Sequence, residues 1–519
     1  MKSDNLFKPK GFNLGLQLAN AAKACPGKEA LVDLEGGKRL TYRELNNRVN
    51  SVAHALSASG IKKGDYIAAV LLNCSEFIEL YYATAKIGAV IAPLNYRLLG
   101  KEMVELINYS EAKTFVFSEG LAEIINTIKG TLAIEKYICV GGKIPSWATN
   151  YEDLAISPSA EEPDADINEH DPHKLEFTSG TTGVPKGYLL SHYMDAAASQ
   201  VALSVFDFHH NMVDLIVFPL YGRVAMGHTI ATIYARGKIV LMNFDPGRVL
   251  ETIEKERITV TNWVPTMAQM ILQHPDLKKF DLSSLQDQGI IFAGSPLPGS
   301  ILKGVWENIT PNVYEYYGLQ ETGILVAVTP EIKAEKTGSC GAPVPILDVR
   351  IVDDEGNDVP TGEMGEVVAS GPPITLGYHK EEEKTKEAFN AEKGWMHTGD
   401  IGRFDEDGYL YLEGRKKDII ITGAQNVFAP EVEAAIFSHA KVKDCAVIGL
   451  PDEKWGEKIT AVIILKPGEK ASEEEFIEYC KGEIAPFKVP KTVIFTDSIP
   501  RTPTGKAQKF ILVDKYSPK

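Results

Sequence analysis

Phe177-Thr178-Ser179-Gly180-Thr181-Thr182-Gly183-Val184-Pro185-Lys186-Gly187 holds three glycines, four hydroxyl side chains and a lysine in eleven residues. Glycines let a backbone take positive φ and approach a ligand closely, and the hydroxyls and Lys186 offer donors to an anion. The stretch therefore reads as a phosphate loop of a size that suits a triphosphate. It is not the P-loop of nucleotide triphosphatases: Gly180 is followed, where that pattern needs its second glycine, by Pro185. An ordinary Gly/Thr loop is the competing reading from composition alone.

The rest of the chain sets the bounds. At 519 residues it exceeds one ordinary core, so two or more domains are expected. Hydrophobic residues make up 44% and charged residues 24%, the balance of a water-soluble globular protein. No apolar run is long enough to cross a bilayer, and Met1–Gly15 carries three lysines without an apolar signal core, so no stable membrane insertion and a cytoplasmic location are expected. Cys25, Cys74, Cys139, Cys340, Cys445 and Cys480 are scattered without Cys-x-x-Cys spacing, which argues against a disulfide framework or a zinc site. A net charge of −16 disfavours nucleic acid as a partner, while local lysines and glycines can still hold an anionic nucleotide.

Outward from the loop, the pattern is α/β. Thr41-x-x-Glu44 forms a capping box ahead of Leu45, Val49, Val52 and Leu56 at helical spacing, and Gly60 ends that helix. Tyr66–Leu72 reads as a buried strand, Asn73-x-x-Glu76 as the cap of a helix running to about Ile87, and Ala89–Pro93 as the next strand. A second α/β run covers about Asp214 to Phe292, with strands at Leu215–Phe218, Lys238–Met242 and Val260–Val264 and a helix at Pro246–Arg257. After about Pro343 the runs Val349–Asp353, Glu366–Ser370 and Tyr409–Glu413 alternate with Asp/Gly turns, as hairpins do. Beyond Arg415-Lys416-Lys417-Asp418, about 100 residues carry strands near Asp444–Leu450, Lys458–Leu465 and Thr492–Thr496 and helices at Pro430–Ser438 and Ala471–Lys481. The expected architecture is a large N-terminal α/β domain of βα-layered subdomains over 1–416, including a β-rich subdomain at about 343–416. A small mobile α+β C-terminal domain over 417–519 follows, with the hinge at Lys417.

Phe-Thr-Ser-Gly-Thr-Thr-Gly-x-Pro-Lys-Gly closely resembles the signature of the adenylate-forming superfamily: acyl-CoA synthetases, luciferases and peptide-synthetase adenylation domains. The resemblance implies that Thr178, Ser179, Gly180, Thr181, Thr182, Gly183 and Lys186 handle the ATP phosphates. Tyr317-Gly318-Leu319-Gln320-Glu321, an aromatic turn to a bare reading, is similar to the family's Tyr-Gly-x-Thr-Glu. There Tyr317 stacks on adenine, and Glu321, with Thr182, holds Mg²⁺; Glu315, Tyr316 and Gly318 belong to the same AMP-binding stretch. Gln320 departs from the family threonine that donates to the α-phosphate, a role an amide can also fill. Gly294-Ser295-Pro296 resembles the segment lining the adenine and acyl sites.

Four further motifs follow in the family order. Thr398-Gly399-Asp400 resembles the Thr-Gly-Asp whose carboxylate accepts both ribose hydroxyls, and Gly414-Arg415-Lys416-Lys417-Asp418 resembles the hinge, with Arg415 near the ribose. In isolation these are a common turn and a solvated charge run. Gly423-Ala424 resembles the loop that forms the pantetheine tunnel, Asn426 is implied near the nucleotide, and Trp455 and Phe487 are implied in CoA contact. Pro500–Lys506 resembles the closing motif whose lysine reaches the carboxylate and α-phosphate, a cation where two anions crowd together.

Catalytic candidates are thus Lys506, Lys186 and Glu321, and acyl-pocket candidates are Tyr221, Gly222 and Gly294. Gly222 stands where acyl-CoA synthetases commonly carry a histidine that gates the pocket, and this predicts room for an acid larger than acetate; His228 is an alternative holder of the missing imidazole's role. The implied activity is that of a stand-alone AMP-forming acyl-CoA synthetase using ATP, Mg²⁺ and CoA on a small-molecule carboxylic acid, as a monomer or homodimer. Competing readings are loading of a carrier protein, a luciferase-like oxygenase, and a non-catalytic nucleotide-binding relative. Lys506, Glu321 and Lys186 argue against the last, and the lack of a carrier-domain sequence favours CoA.

Overall fold

The computed structural model of the chain describes residues 12–156, 159–178, 186–390, 394–422, 425–452, 454–501 and 507–517. The helix Tyr42–Ala58 opens on the expected box: the Thr41 hydroxyl accepts from Glu44 N at 3.3 Å, and Thr41 N donates to the Glu44 carboxylate at 2.8 Å. The next helix corrects the sequence reading. Ser75–Ile87 starts after Cys74, and Asn73 does not cap it; its amide donates to Phe218 O at 2.8 Å and accepts from Leu220 N at 2.9 Å. Asn73 is buried where a distant loop leaves backbone groups unpaired, and satisfying those outweighs a helix cap.

Every residue of Ser75–Ile87 is buried, which a surface helix with one apolar face never shows. It lies in a core shared by two large sheets, where Phe77, Tyr81 and Tyr82 join Ile230 and Trp263. The first sheet has seven strands in the spatial order Thr149–Asn150, Lys136–Val140, Thr114–Ser118, Tyr66–Val70, Val90–Pro93, β1 (Pro172–Thr178) and β2 (Lys186–Ser191). All neighbours are parallel except β1 and β2, which pair antiparallel and set Thr178 opposite Lys186.

After β2 the chain runs through helix α1 (His192–Val205), strand β3 (Val213–Ile216), helix α2 (Arg223–Ala235), β4 (Val260–Trp263), β5 (Gly289–Phe292) and β6 (Val313–Leu319), which turns back into β7 (Gly323–Val328). These strands belong to a nine-stranded sheet in which β3, β4, β5 and β6 are parallel neighbours, while β6 and β7 are antiparallel. In such sheets ligands bind at the carboxyl ends of the strands. At that edge Gly222, Val264, the Ala293–Pro296 segment and the Gln320–Thr322 turn follow β3, β4, β5 and β6.

The hairpin pattern after Pro343 forms a five-stranded antiparallel sheet that includes β8 (Trp395–Phe404) and β9 (Leu410–Arg415), with its own core around Val349, Val367 and Leu410. A fourth sheet, of strands between Ile419 and Phe495, packs Val432, Ile436 and Phe476 into a separate core.

Candidate active site

Strand β6 ends in a turn that leaves no space for side chains at one point: a Cβ on Gly318 would sit 1.8 Å from Gly323 O. The pairing with β7 shifts register between Tyr317 and Gly318, and Thr322 Oγ1 accepts from Leu319 N at 2.9 Å to close the turn. This bulge aims the Tyr317 hydroxyl at Asp400 Oδ2, 2.7 Å away on β8, while Arg415 Nε on β9 approaches Oδ1 at 3.0 Å. Burial, and then the Asp400 charge, push the Tyr317 hydroxyl well above its ordinary value, so it remains a donor at neutral pH.

The two residues after the bulge are each held from beneath. Gln320 Oε1 lies 3.2 Å from the Tyr188 hydroxyl and 3.4 Å from Arg223 N, while Arg223 Nη1 donates to Gln320 O and Nη2 to Pro373 O, both at 2.7 Å. With the oxygen of the amide tied inward, its nitrogen is the end left to meet a ligand. Glu321 Oε1 accepts from the Tyr378 hydroxyl at 3.1 Å, and the Lys186 ammonium stands 5.0 Å from the Tyr378 ring centre. Tyr378 thus touches both Lys186 and the carboxylate of the Gln320–Thr322 turn.

The support under Gln320 was not singled out in the sequence. Tyr188 donates to Glu176, and Lys174 lies between Glu176 at 3.5 Å and Asp195 at 3.3 Å. Asp195 Oδ2 also accepts from the Tyr81 hydroxyl at 2.8 Å and faces His173 Nε2 at 3.1 Å, with Arg223 Nε 3.9 Å from Oδ1. Burial alone would raise the Asp195 carboxyl, yet Lys174, His173 and Arg223 hold it well below the usual range. Lys174 and Glu176, two residues apart on one strand, were the available signal, because a central strand rarely places two charges on the same face.

Gly222 caps the N-terminus of α2, and a Cβ there would meet nothing nearer than Pro219 O at 3.6 Å, so a side chain could begin there without a clash. Tyr221 is half-buried, edge-on to Tyr96. Gly294, at φ 87°, is exposed with Ser295 and Pro296 at the end of β5. Glu315 is buried and paired with Lys333, and it accepts from Leu297 N at 3.3 Å, so its carboxylate anchors the segment after Pro296 instead of facing a ligand. His228 is also buried, against Phe206 and Phe208.

In the C-terminal sheet Asn426 is exposed opposite Ile421, and the Lys417 ammonium is lowered by burial with Asp418 opposing. Trp455 and Phe487 are exposed, with Lys454 and Lys491 near the first ring and Lys488 near the second. Ser179, Gly180, Thr181, Thr182, Gly183, Gly423, Ala424 and Lys506 lie outside the described residues.

The model of one protein family, the AMP-binding enzyme, matches residues 18–379, and that of the AMP-binding enzyme C-terminal domain matches 431–506. The chain is 33% identical to the long-chain-fatty-acid–CoA ligase FadD13 of Mycobacterium tuberculosis, across 97% of this chain and 99% of that protein. It is 34% identical to a feruloyl-CoA synthase of Amycolatopsis, across 96% and 98%. Among solved structures, ATP-bound MatB from Rhodopseudomonas palustris superposes with a TM-score of 0.87 at 30% identity, covering 97% of this chain and 99% of that one.

Proposed function

This chain belongs to the AMP-binding enzyme family, and on that premise we propose that it joins a carboxylic acid to ATP, giving an acyl-adenylate and pyrophosphate, and then passes the acyl group to the thiol of coenzyme A. It is an acid–thiol ligase of the adenylate-forming kind. The observation that carries the reading is the meeting, at the carboxyl ends of β3 to β6, of the Tyr317–Asp400–Arg415 unit with Gln320, Glu321 and Lys186.

Each part has a task it is chemically suited to. Asp400 is a charged acceptor for the ribose hydroxyls, and the Tyr317 ring offers a face to adenine. The Gln320 amide nitrogen and the Lys186 ammonium supply donors and charge to phosphate oxygens. Glu321 fits Mg²⁺, which is held through one or two carboxylates together with substrate phosphates and supplies charge neutralisation there. Lys506 is the cation for the step in which a carboxylate attacks a phosphate ester, and the segment after Lys417 brings it in and then exchanges it for Gly423 and Ala424.

CoA is favoured over a carrier protein as acceptor by Trp455 and Phe487: exposed rings flanked by Lys454, Lys491 and Lys488 offer stacking beside positive charge, as an adenine nucleotide requires. The reading is tested by a pyrophosphate-release screen across carboxylic acids with ATP, Mg²⁺ and CoA. Pyrophosphate and AMP formed in equal amounts with some acid are expected. ADP and phosphate as products, or silence with every acid, would contradict it.

A further inference from the structure

The carboxylate of Asp400 is aimed by a bulge in β8. That strand pairs with the strand Gly365–Ser370, and the register sets Glu366 opposite Ile401 and Val368 opposite His397. Between those pairs Val367 faces three residues, Thr398, Gly399 and Asp400. Extra residues in a bulge lose their ladder partners and re-aim a side chain. Here the re-aimed group is the carboxylate that meets Tyr317 at 2.7 Å and Arg415 at 3.0 Å. Gly399, at φ 70°, takes the left-handed conformation that the bulge requires.

The backbone of the bulge needs partners that the ladder no longer supplies. Thr398 provides some from within: its hydroxyl donates to Val367 O at 2.7 Å and accepts from Asp400 N at 3.1 Å. Gly399 N is satisfied from the neighbouring strand, where it donates to Glu366 Oε1 at 3.1 Å. The other oxygen of that carboxylate, Oε2, faces His397 Nδ1 at 3.3 Å and Lys416 Nζ at 3.4 Å. The Glu366 side chain is 12% exposed, so these contacts and not water set its position. His397 and Lys416 are 32% and 47% exposed, and both can turn to solvent if the carboxylate is removed.

We propose that Glu366 is a positioning residue for nucleotide binding: by holding Gly399 N it fixes the bulge that presents Asp400 to the ribose hydroxyls. It acts through Gly399 and Asp400 and not on the nucleotide. A carboxylate suits the task, because a charged acceptor binds an N–H more strongly than a neutral one does. The same carboxylate holds Lys416, the residue before the pivot expected at Lys417, so the ribose seat and the fixed side of the hinge share one side chain. The inference rests on the ligase reading, which places the ribose at Asp400.

The test is equilibrium binding of ATP and of 2′,3′-dideoxy-ATP to the full chain by calorimetry, with Mg²⁺ and without acid or CoA, so that no reaction intervenes. Hydrogen bonds to a charged group are the strong ones, and the wild type is expected to bind ATP about 10-fold or more tightly than the dideoxy nucleotide. In Glu366→Ala that ratio falls toward one while affinity for the dideoxy nucleotide changes little, because only the contacts to the hydroxyls are lost. Glu366→Gln keeps an acceptor for Gly399 N without the charge, and it retains part of the ratio. A merely structural role would weaken both nucleotides alike, so the wild-type ratio persisting in Glu366→Ala and Glu366→Gln would overturn the inference. Equal affinity of the wild type for the two nucleotides would overturn the ribose assignment of Asp400 itself, and the inference with it.

Discussion

Tyr317 and Asp400, 83 residues apart, share a 2.7 Å hydrogen bond that ties the nine-stranded sheet to the β-rich sheet. Arg415 holds the other carboxylate oxygen, so the carboxylate is aimed before any ligand arrives. Tyr317→Phe keeps the ring for stacking and removes only the hydroxyl. A hydrogen bond to a charged group contributes about 1.5–3 kcal/mol, so KM for ATP is expected to rise by roughly 10-fold or more with a smaller change in kcat. Asp400→Asn should raise it further. Unchanged KM for ATP in steady-state assays of both variants would remove the pair from nucleotide binding.

Gly222 puts no side chain at the N-cap of α2, and nothing nearer than 3.6 Å opposes a Cβ there. The wild type is therefore expected to prefer acids larger than acetate, and Gly222→His to fold normally while shifting preference toward shorter acids. Each methylene in an apolar pocket discriminates by about 1–3 kcal/mol, so the ratio of kcat/KM between a long and a short acid should fall by about 10-fold or more. Acetate or propionate as the best wild-type substrate would contradict this.

Asp195 carries the buried charge cluster under Gln320. Asp195→Asn leaves Lys174 and Arg223 with Glu176 as their remaining carboxylate, and breaking a buried pair in this way costs about 3–5 kcal/mol, measurable by urea unfolding at neutral pH. The carboxyl is held well below its unfolded value, so its contribution to stability is fully present above about pH 4 and is lost as pH falls toward the folded value. The stability gap between wild type and variant should accordingly narrow below about pH 4. A gap that widens on acidification would show that the carboxyl is not held in its charged form.

Much of this was legible in the sequence, because short-range chemistry decided it. Thr41 and Glu44 cap their helix, the Asp/Gly turns after Pro343 make hairpins, and Tyr317, Asp400 and Arg415, from three separate motifs, lie in direct contact. What escaped was set by contacts distant in sequence. Asn73 gives up a cap to serve a loop 145 residues away, and Tyr378, 57 residues beyond Glu321, belongs to no motif yet joins it to Lys186. Glu315 was grouped with the nucleotide site by proximity along the chain, but strand alternation turns it inward to Lys333. The buried partners of Arg223 could be suspected only from Lys174 and Glu176 sharing a strand face.

The proposed function gives Lys506 to the adenylation step alone. Lys506→Ala leaves the β6, β8 and β9 groups to bind ATP but removes the cation where negative charge crowds together, and loss of such a group costs about 10²–10³ in rate. Thioester formation from chemically made acyl-adenylate and CoA should be nearly spared. Equal losses in single-turnover assays of the two half-reactions would remove Lys506 from that role.

The central claim is a two-step transfer through an enzyme-held adenylate, and its most direct test is a single-turnover experiment with ATP, Mg²⁺ and the best acid, first without CoA and then with it. Without CoA, the account predicts one pyrophosphate per site and acyl-adenylate retained on the protein, with AMP held back. Adding CoA should then release AMP and form thioester in equal amounts, faster than hydrolysis by water. ADP and phosphate in the first phase, or AMP release that CoA does not accelerate, would contradict it.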